Sequence, residues 1–506
     1  MSSASAAVTT PVPERILPNG MDFADWLSPI LVKELRQGLK TKMFITTFIL
    51  IQVAMIFITG IQLLEVSHGG SGGAGGLAWL FSAFIWIPLL ILMPARGLTA
   101  VSEELKVNTL DLVQLTHLTA FRIVLGKWVA LVAQTLLVVT AILPYAVLRY
   151  FFGEVDIIAD LSNIGILILA SLVLTAGALA LSSSHIAIRI LVVFGLFIAV
   201  CIMGSAAVFA HSPLSTGGPG AWLVWMLPLL VALHVYLLLE IAASRIAPIS
   251  ENHSGRKRLV ILLMGTIGLL LAWFGSEYAA MTWSTSCVVA TAWVLLESLS
   301  ERTQHVPSLY SGFARHGFFG KLAGRVLYPG WASGLVFALI LTGMVFGIGL
   351  GALQRFQPGE VGSYLVTSRL MGPLIFSSVI SPVVVMLLFP RARQPIWLYV
   401  LTQALFGLCY VVAQVAGNAP NLNEETAFRW LAPFPTSAWF VLMEEGVDSP
   451  LGHFYTKFTL PVCAVLFVYL GFRAMKEFSF ISRLENQSQA GAEELETSPP
   501  AVSNAA

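Results

Sequence analysis

The chain has 506 residues, of which 57% are hydrophobic and only 11% charged. That balance excludes a soluble protein of ordinary composition and predicts an all-α polytopic membrane protein. A formal net charge of +1 excludes a nucleic-acid partner bound through global charge, because phosphate binding needs concentrated Lys and Arg.

Residues 1–25 are rich in Ser, Ala and Pro, with no basic stretch followed by an apolar one. They predict a disordered tail and no cleaved signal peptide. From Trp26 to Lys40, Leu27, Ile30, Leu31, Leu35 and Leu39 recur near helical spacing, while Lys33, Arg36, Gln37 and Lys40 fill much of the rest. Ser28 and Pro29 give the start signal, and the whole predicts an amphipathic helix along the inner membrane surface.

A crossing needs about twenty apolar residues. Such stretches predict spans at Met43–Leu64, Leu77–Pro94, Trp128–Leu148, Leu161–Leu181, Ile190–Ala210 and Ala221–Ala243. A second set lies at Leu259–Gly275, Tyr278–Glu297, Ser333–Leu353, Leu370–Phe389, Ile396–Gly417 and Phe458–Phe472. With twelve spans and cytoplasmic termini, only Arg149, Arg355, Arg369, Arg429 and Lys457 fall outside, leaving 23 of the 28 Lys and Arg inside. This is the bias expected of an inner, plasma-type membrane orientation.

Six spans per half would give two halves of the same orientation, at residues 26–243 and 244–484, followed by a disordered tail at 485–506 rich in Gln, Ala, Glu and Ser. Each half carries its longest inner loop between its second and third spans. The loop Ser298–Ala332 reads as a degenerate counterpart of the first, and Arg256-Lys257-Arg258 echoes the basic lead-in before the first span.

The first inner loop, Arg96 to Lys127, carries the clearest pattern. Ser102 can cap a short helix with Glu103 and Glu104 in its first turn, where carboxylates favour the helix dipole. Asn108 or Thr109 can cap a second short helix bearing Leu112 and Leu115, and Thr119 can cap the long helix that contains Gly126 and Lys127. The predicted order is span, short helix, short helix, span.

Glu103-Glu104, Asn108-Thr109-Leu110, Thr116-His117-Leu118-Thr119 and Gly126-Lys127 in this order resemble the permease subunits of type-2 ABC exporters between Pro29 and Gly153. His117 and Asn108 depart from the Pro and Gly usual there, and neither departure removes a cap. The resemblance implies a coupling segment at 96–127 that docks a separate ABC-type ATPase, with Glu103, Glu104, Thr109, Leu110, Leu112, Gly126 and Lys127 as the coupling residues. It implies either one chain forming both halves of the path or a homodimer or second permease.

Catalytic signals are missing. No G-x-x-x-x-G-K-[ST] or H-E-x-x-H occurs, so the chain reads as a non-catalytic subunit without cofactor or metal. Cys201, Cys287, Cys409 and Cys463 lie singly in apolar stretches, without metal spacing. Ionisable residues inside spans are costly, which singles out His234 and Glu240; Glu240 stands near the inner end, where it would reach water. Gln403, Gly407, Tyr410 and Gln414 share one helix face, which can line a substrate path with His234 or glue helices together. The competing class is a secondary transporter driven by an ion gradient, and a third is an assembly scaffold.

Overall fold

The computed structural model describes residues 29–67, 78–107, 119–151, 157–182, 220–248, 251–304, 306–356, 379–389, 395–417, 429 and 450–497. Among these residues there are helices and no strands. In chain order they are α1 Pro29–Leu39, α2 Lys42–Ser67, α3 Ala78–Trp86, α4 Met93–Val107, α5 Ala120–Phe151, α6 Ile157–Leu181 and α7 Gly220–Ser244. Then follow α8 His253–Phe274, α9 Glu277–Ser300, α10 Ser308–Ala314, α11 Gly317–Leu327 and α12 Trp331–Phe356. The last are α13 Val379–Leu388, α14 Pro395–Gly417 and α15 Pro450–Thr497.

Nine helices among the described residues are long and apolar enough to cross a membrane. They coincide with nine of the predicted spans and make the chain a multi-pass membrane protein. The predicted span Ile190–Ala210 lies outside the described residues. Of Leu370–Phe389, the described part forms the short apolar α13, and Phe458–Phe472 lies within α15.

Several boundaries follow local chemistry. Proline opens α1, where its missing N–H costs no helical bond. Thr119 stands just before α5, its carbonyl accepting from Arg122 and Ile123. Ser276 separates α8 from α9 and accepts from the Ala279 N–H through its hydroxyl at 3.3 Å.

Three boundaries differ from the sequence reading. A π-helical turn over Ile87–Leu92 joins α3 to α4, and α4 runs unbroken to Val107. Ser102 therefore lies inside a helix rather than at its start, and Glu103 and Glu104 sit near that helix's C-terminal end. Helix α5 continues through Pro144 to Phe151, and α15 continues past Leu484 to Thr497. The last extension runs through Ala, Glu, Gln and Leu, which are strong helix formers.

The buried apolar residues form successive clusters. Phe44, Ile51, Met55 and Ile58 of α2 meet Phe81 and Ile85 of α3 and Val138 and Ile142 of α5. Ile123 and Val124 of α5, Ala176 and Leu179 of α6 and Val235 and Leu239 of α7 form the next. Leu237 of α7, Ile261 and Met264 of α8, Trp283 of α9 and Phe337 of α12 continue it, and Trp283 Nε1 donates to the Met264 carbonyl at 2.9 Å. Leu335 of α12, Val383 of α13 and Leu470 of α15 close the series. Outward faces remain apolar, as Val289 of α9 and Leu401 of α14 show by their exposure, the pattern of helices solvated by lipid.

Candidate functional site

The two ends of the predicted coupling segment converge on one helix. Arg96, in the first turn of α4, donates from Nη2 to the Gly38 carbonyl at 3.1 Å and to Thr41 Oγ1 at 3.2 Å. Its Nη1 donates to Gln134 Oε1 of α5, and the guanidinium lies 5.4 Å from the centre of the Phe44 ring. Lys127, in the second turn of α5, pairs with Glu34 of α1 at 3.2 Å. A Cβ at position 38 would meet the Gln134 amide, so a larger residue there would have to displace the side chain that holds Arg96 Nη1. Amphipathic α1 is thus clamped to both α4 and α5 at the root of the segment, by bonds whose partners are sheltered and so little screened by salt.

The other predicted coupling residues fare unevenly. Glu103 and Glu104 lie on the last turns of α4, and Thr109, Leu110 and Leu112 fall outside the described residues. Gly126 is half-buried on α5, one position before the ion-paired Lys127. Arg96 entered the sequence reading only as the bound of a loop, and Lys127 as both its other bound and a coupling residue. Glu34 and Gln134 escaped it, although Gln134 interrupts the apolar run Trp128–Leu148 and polar interruptions of that kind mark buried contacts.

The loop Ser298–Ala332 is where two short helices stand between two long ones. Helices α10 and α11 connect α9 to α12 and are tied back to the start of α8. Arg258, fully buried, donates from Nε to Ser298 Oγ at 3.1 Å. From its terminal nitrogens it donates to the carbonyls of Val326 at 3.0 Å, Tyr328 at 2.7 Å and Gly330 at 3.2 Å, and to Glu301 Oε2 at 3.1 Å. These five bonds use all five guanidinium N–H groups. Gly330, at a φ of 121°, turns the corner into α12 and donates its own N–H to Glu301 Oε2 at 3.2 Å; positive φ favours glycine there.

Beside this node Lys257 pairs with Glu297 at 2.7 Å, and His253 lies between Glu240 at 2.7 Å and Glu251 at 2.9 Å. Glu240 does not reach water: it is fully buried against His253 and Arg256. A cavity of about 210 Å³ opens here between Ser244, Glu251, His253, Lys257, Glu297 and Glu301. The pairs of His253 with Glu240 and Glu251 and of Lys257 with Glu297 cross-brace α7, α8 and α9 at this cavity, whose lining also includes Arg245.

Within the second loop, the Tyr328 hydroxyl donates to the Tyr310 carbonyl at 3.0 Å, and the Tyr310 hydroxyl donates to the Gln304 carbonyl at 2.8 Å. Their rings meet edge to face at 4.8 Å. Burial, reinforced by Glu301, Glu477 and Glu485, pushes the Tyr310 hydroxyl up to about 12, and burial with Glu485 raises Tyr328 as well. A folded pKa above the unfolded value means stability that is present below about pH 10 and lost as pH rises through about 12. Stability followed by unfolding from pH 8 to about 12 is expected to fall less in Tyr310→Phe than in the parent chain; parallel curves would refute this.

The remaining predicted residues divide between two places. On α14, Gln414 Nε2 donates to the Tyr410 hydroxyl at 3.1 Å, and Gln403 and Gly407 share their partly buried face. Leu401, Leu405, Leu408, Val412 and Val415 face outward. His234 lies on α7, with Nδ1 2.8 Å from the Leu230 carbonyl and Nε2 3.2 Å from that of Ser286. Nδ1 therefore bonds back within α7, and only Nε2 ties α7 to α9. Among the described residues no cluster of His, Cys, Asp and Glu is arranged to hold a metal ion.

No protein-family model matches the chain, and no characterised protein or solved structure does so either.

Proposed function

We propose that the chain is the membrane-spanning permease subunit of an ATP-driven exporter, worked by a separate ATPase. The observation carrying this reading is the clamp at the root of the segment 96–127, where Arg96 holds Gly38 and Thr41 while Lys127 holds Glu34. A displacement of the segment between these residues moves α1, α4 and α5 as one body. In the cycle, ATP closes two cytoplasmic ATPase subunits, the segment follows them, and the helices rearrange around a central path. The chain supplies geometry and no catalysis. On this reading it has twelve spans with both termini in the cytoplasm of an inner or plasma membrane, and two halves of one chain or a dimer enclose the path.

The test is purification of the chain from its native membrane in mild detergent. An ATP-binding subunit is expected to copurify and to be lost from Glu103→Ala/Glu104→Ala. In Arg96→Ala/Lys127→Ala the ATPase is expected to remain bound while its stimulation by the permease falls. Loss of a coupling free energy of ~1–3 kcal/mol corresponds to roughly 5- to 150-fold. A chain that brings down no ATPase yet moves solute on an ion gradient in liposomes would establish secondary transport instead.

A further inference from the structure

Helix α11 has three distinct faces. Gly320, Gly324 and Leu327, at positions i, i+4 and i+7, are buried against the rest of the protein. Lys321 and Arg325 lie along the second face. The third carries Phe318 at 76%, Phe319 at 80% and Leu322 at 57% exposure. Phe319 is the most exposed large apolar side chain among the described residues, and it stands outside all nine candidate spans. An exposed apolar cluster of this kind marks a surface that something covers.

Depth decides what covers it. Only Tyr328, Pro329 and Gly330 separate α11 from α12, so its C-terminal end lies within roughly 14 Å of the start of a membrane-crossing helix. Arg325 fixes the same depth independently, donating to the Phe478 carbonyl at 3.1 Å and to Ser482 Oγ at 2.6 Å on α15. Phe478 stands six residues beyond Phe472, the predicted inner end of the last span, or about 9 Å along the helix. The headgroup layer occupies roughly 5–8 Å of each leaflet, and interfacial helices bury their apolar face at that boundary. Exposed Arg315 and half-buried Lys321 flank the aromatic pair and match the negative potential of an anionic leaflet.

We propose that α11 is an interfacial helix whose Phe318, Phe319 and Leu322 insert between anionic phospholipids of the leaflet next to the second inner loop. This rests on the multi-pass reading and on the inner placement of that loop, and is independent of the ATPase. It makes the loop a lipid-held lever: the bilayer grips α11 on one side while Arg258 grips its C-terminal end on the other.

The test places p-benzoylphenylalanine at Phe319, at Ile340 on the outward face of α12 and at buried Tyr310. The full chain is reconstituted in vesicles of phosphatidylcholine and phosphatidylglycerol, irradiated, and its peptides are weighed. Lipid adducts are expected at 319 and 340 and not at 310. At 319 the phosphatidylglycerol share is expected to exceed its bulk share, and to fall severalfold towards it in Arg315→Glu/Lys321→Glu. Protein adducts or none at 319, with lipid adducts at 340, would overturn the proposal in favour of a second copy, a partner or open water. Absence of lipid adducts at both positions would overturn it together with the multi-pass reading. Unaltered lipid selectivity in the charge-reversed variant would remove the anionic component.

Discussion

Replacing Arg258 with alanine is expected to destabilise the protein by about 3–5 kcal/mol, the cost of breaking a buried charge pair on one side. The guanidinium is fully buried and its five N–H groups go to Ser298, Glu301 and the carbonyls of Val326, Tyr328 and Gly330. Truncation leaves those carbonyls without this donor and removes the cation facing Glu301. Arg258→Lys is expected to recover only a minor part, since an ammonium is a point charge with three donors and lacks the planar fork. Arg258→Met combined with Glu301→Gln is expected to recover more, because removing both charges avoids leaving one uncompensated. The apparent unfolding midpoint in detergent, read by the monodisperse fraction remaining after heating, checks all three. An unchanged midpoint in Arg258→Ala would mean that the second loop does not depend on this node.

Nine of the spans were legible in the sequence because twenty apolar residues in a row leave a chain few alternatives. One helix start was legible at Thr119, whose carbonyl accepts the first bonds of α5. Ser102 misled because capping is a local signal: the residue can bond an N–H ahead of it, but it cannot end the helix behind it. Between Met93 and Ser102 there is no break of that kind, and Glu103, Glu104, Leu105 and Lys106 are all good helix formers, so α4 runs through. The clamps were invisible for another reason. Arg96 meets a carbonyl 58 residues away and Arg258 meets one 72 residues away, and no periodicity along the chain encodes such a pairing. The polar residues that did stand out within spans, His234 and Glu240, proved to be engaged with neighbouring backbone or with paired charges.

One glycine sets the approach of the helices on which the Arg258 node rests. A Cβ at Gly334 of α12 would lie 2.1 Å from the Ser298 carbonyl oxygen and 2.7 Å from its carbon. These are backbone atoms of α9, so no rotamer change relieves the contact. Close backbone approach through small residues is how membrane helices gain packing where lipid removes any hydrophobic drive between them. Gly334→Ala is expected to force α9 and α12 apart at a cost of about 1–3 kcal/mol or more. Gly343→Ala, on the same helix with nothing within 4 Å of its added Cβ, is expected to be neutral or to stabilise by roughly 0.5–1 kcal/mol through helix propensity. Any displacement of Ser298 also moves an acceptor of Arg258 and, three residues on, Glu301. The penalties of Gly334→Ala and Arg258→Ala are therefore expected to overlap, with the double variant less destabilised than their sum by about 0.5–3 kcal/mol. A double-mutant cycle on unfolding midpoints measures this; strict additivity would show that the helix approach and the cation network are separate devices.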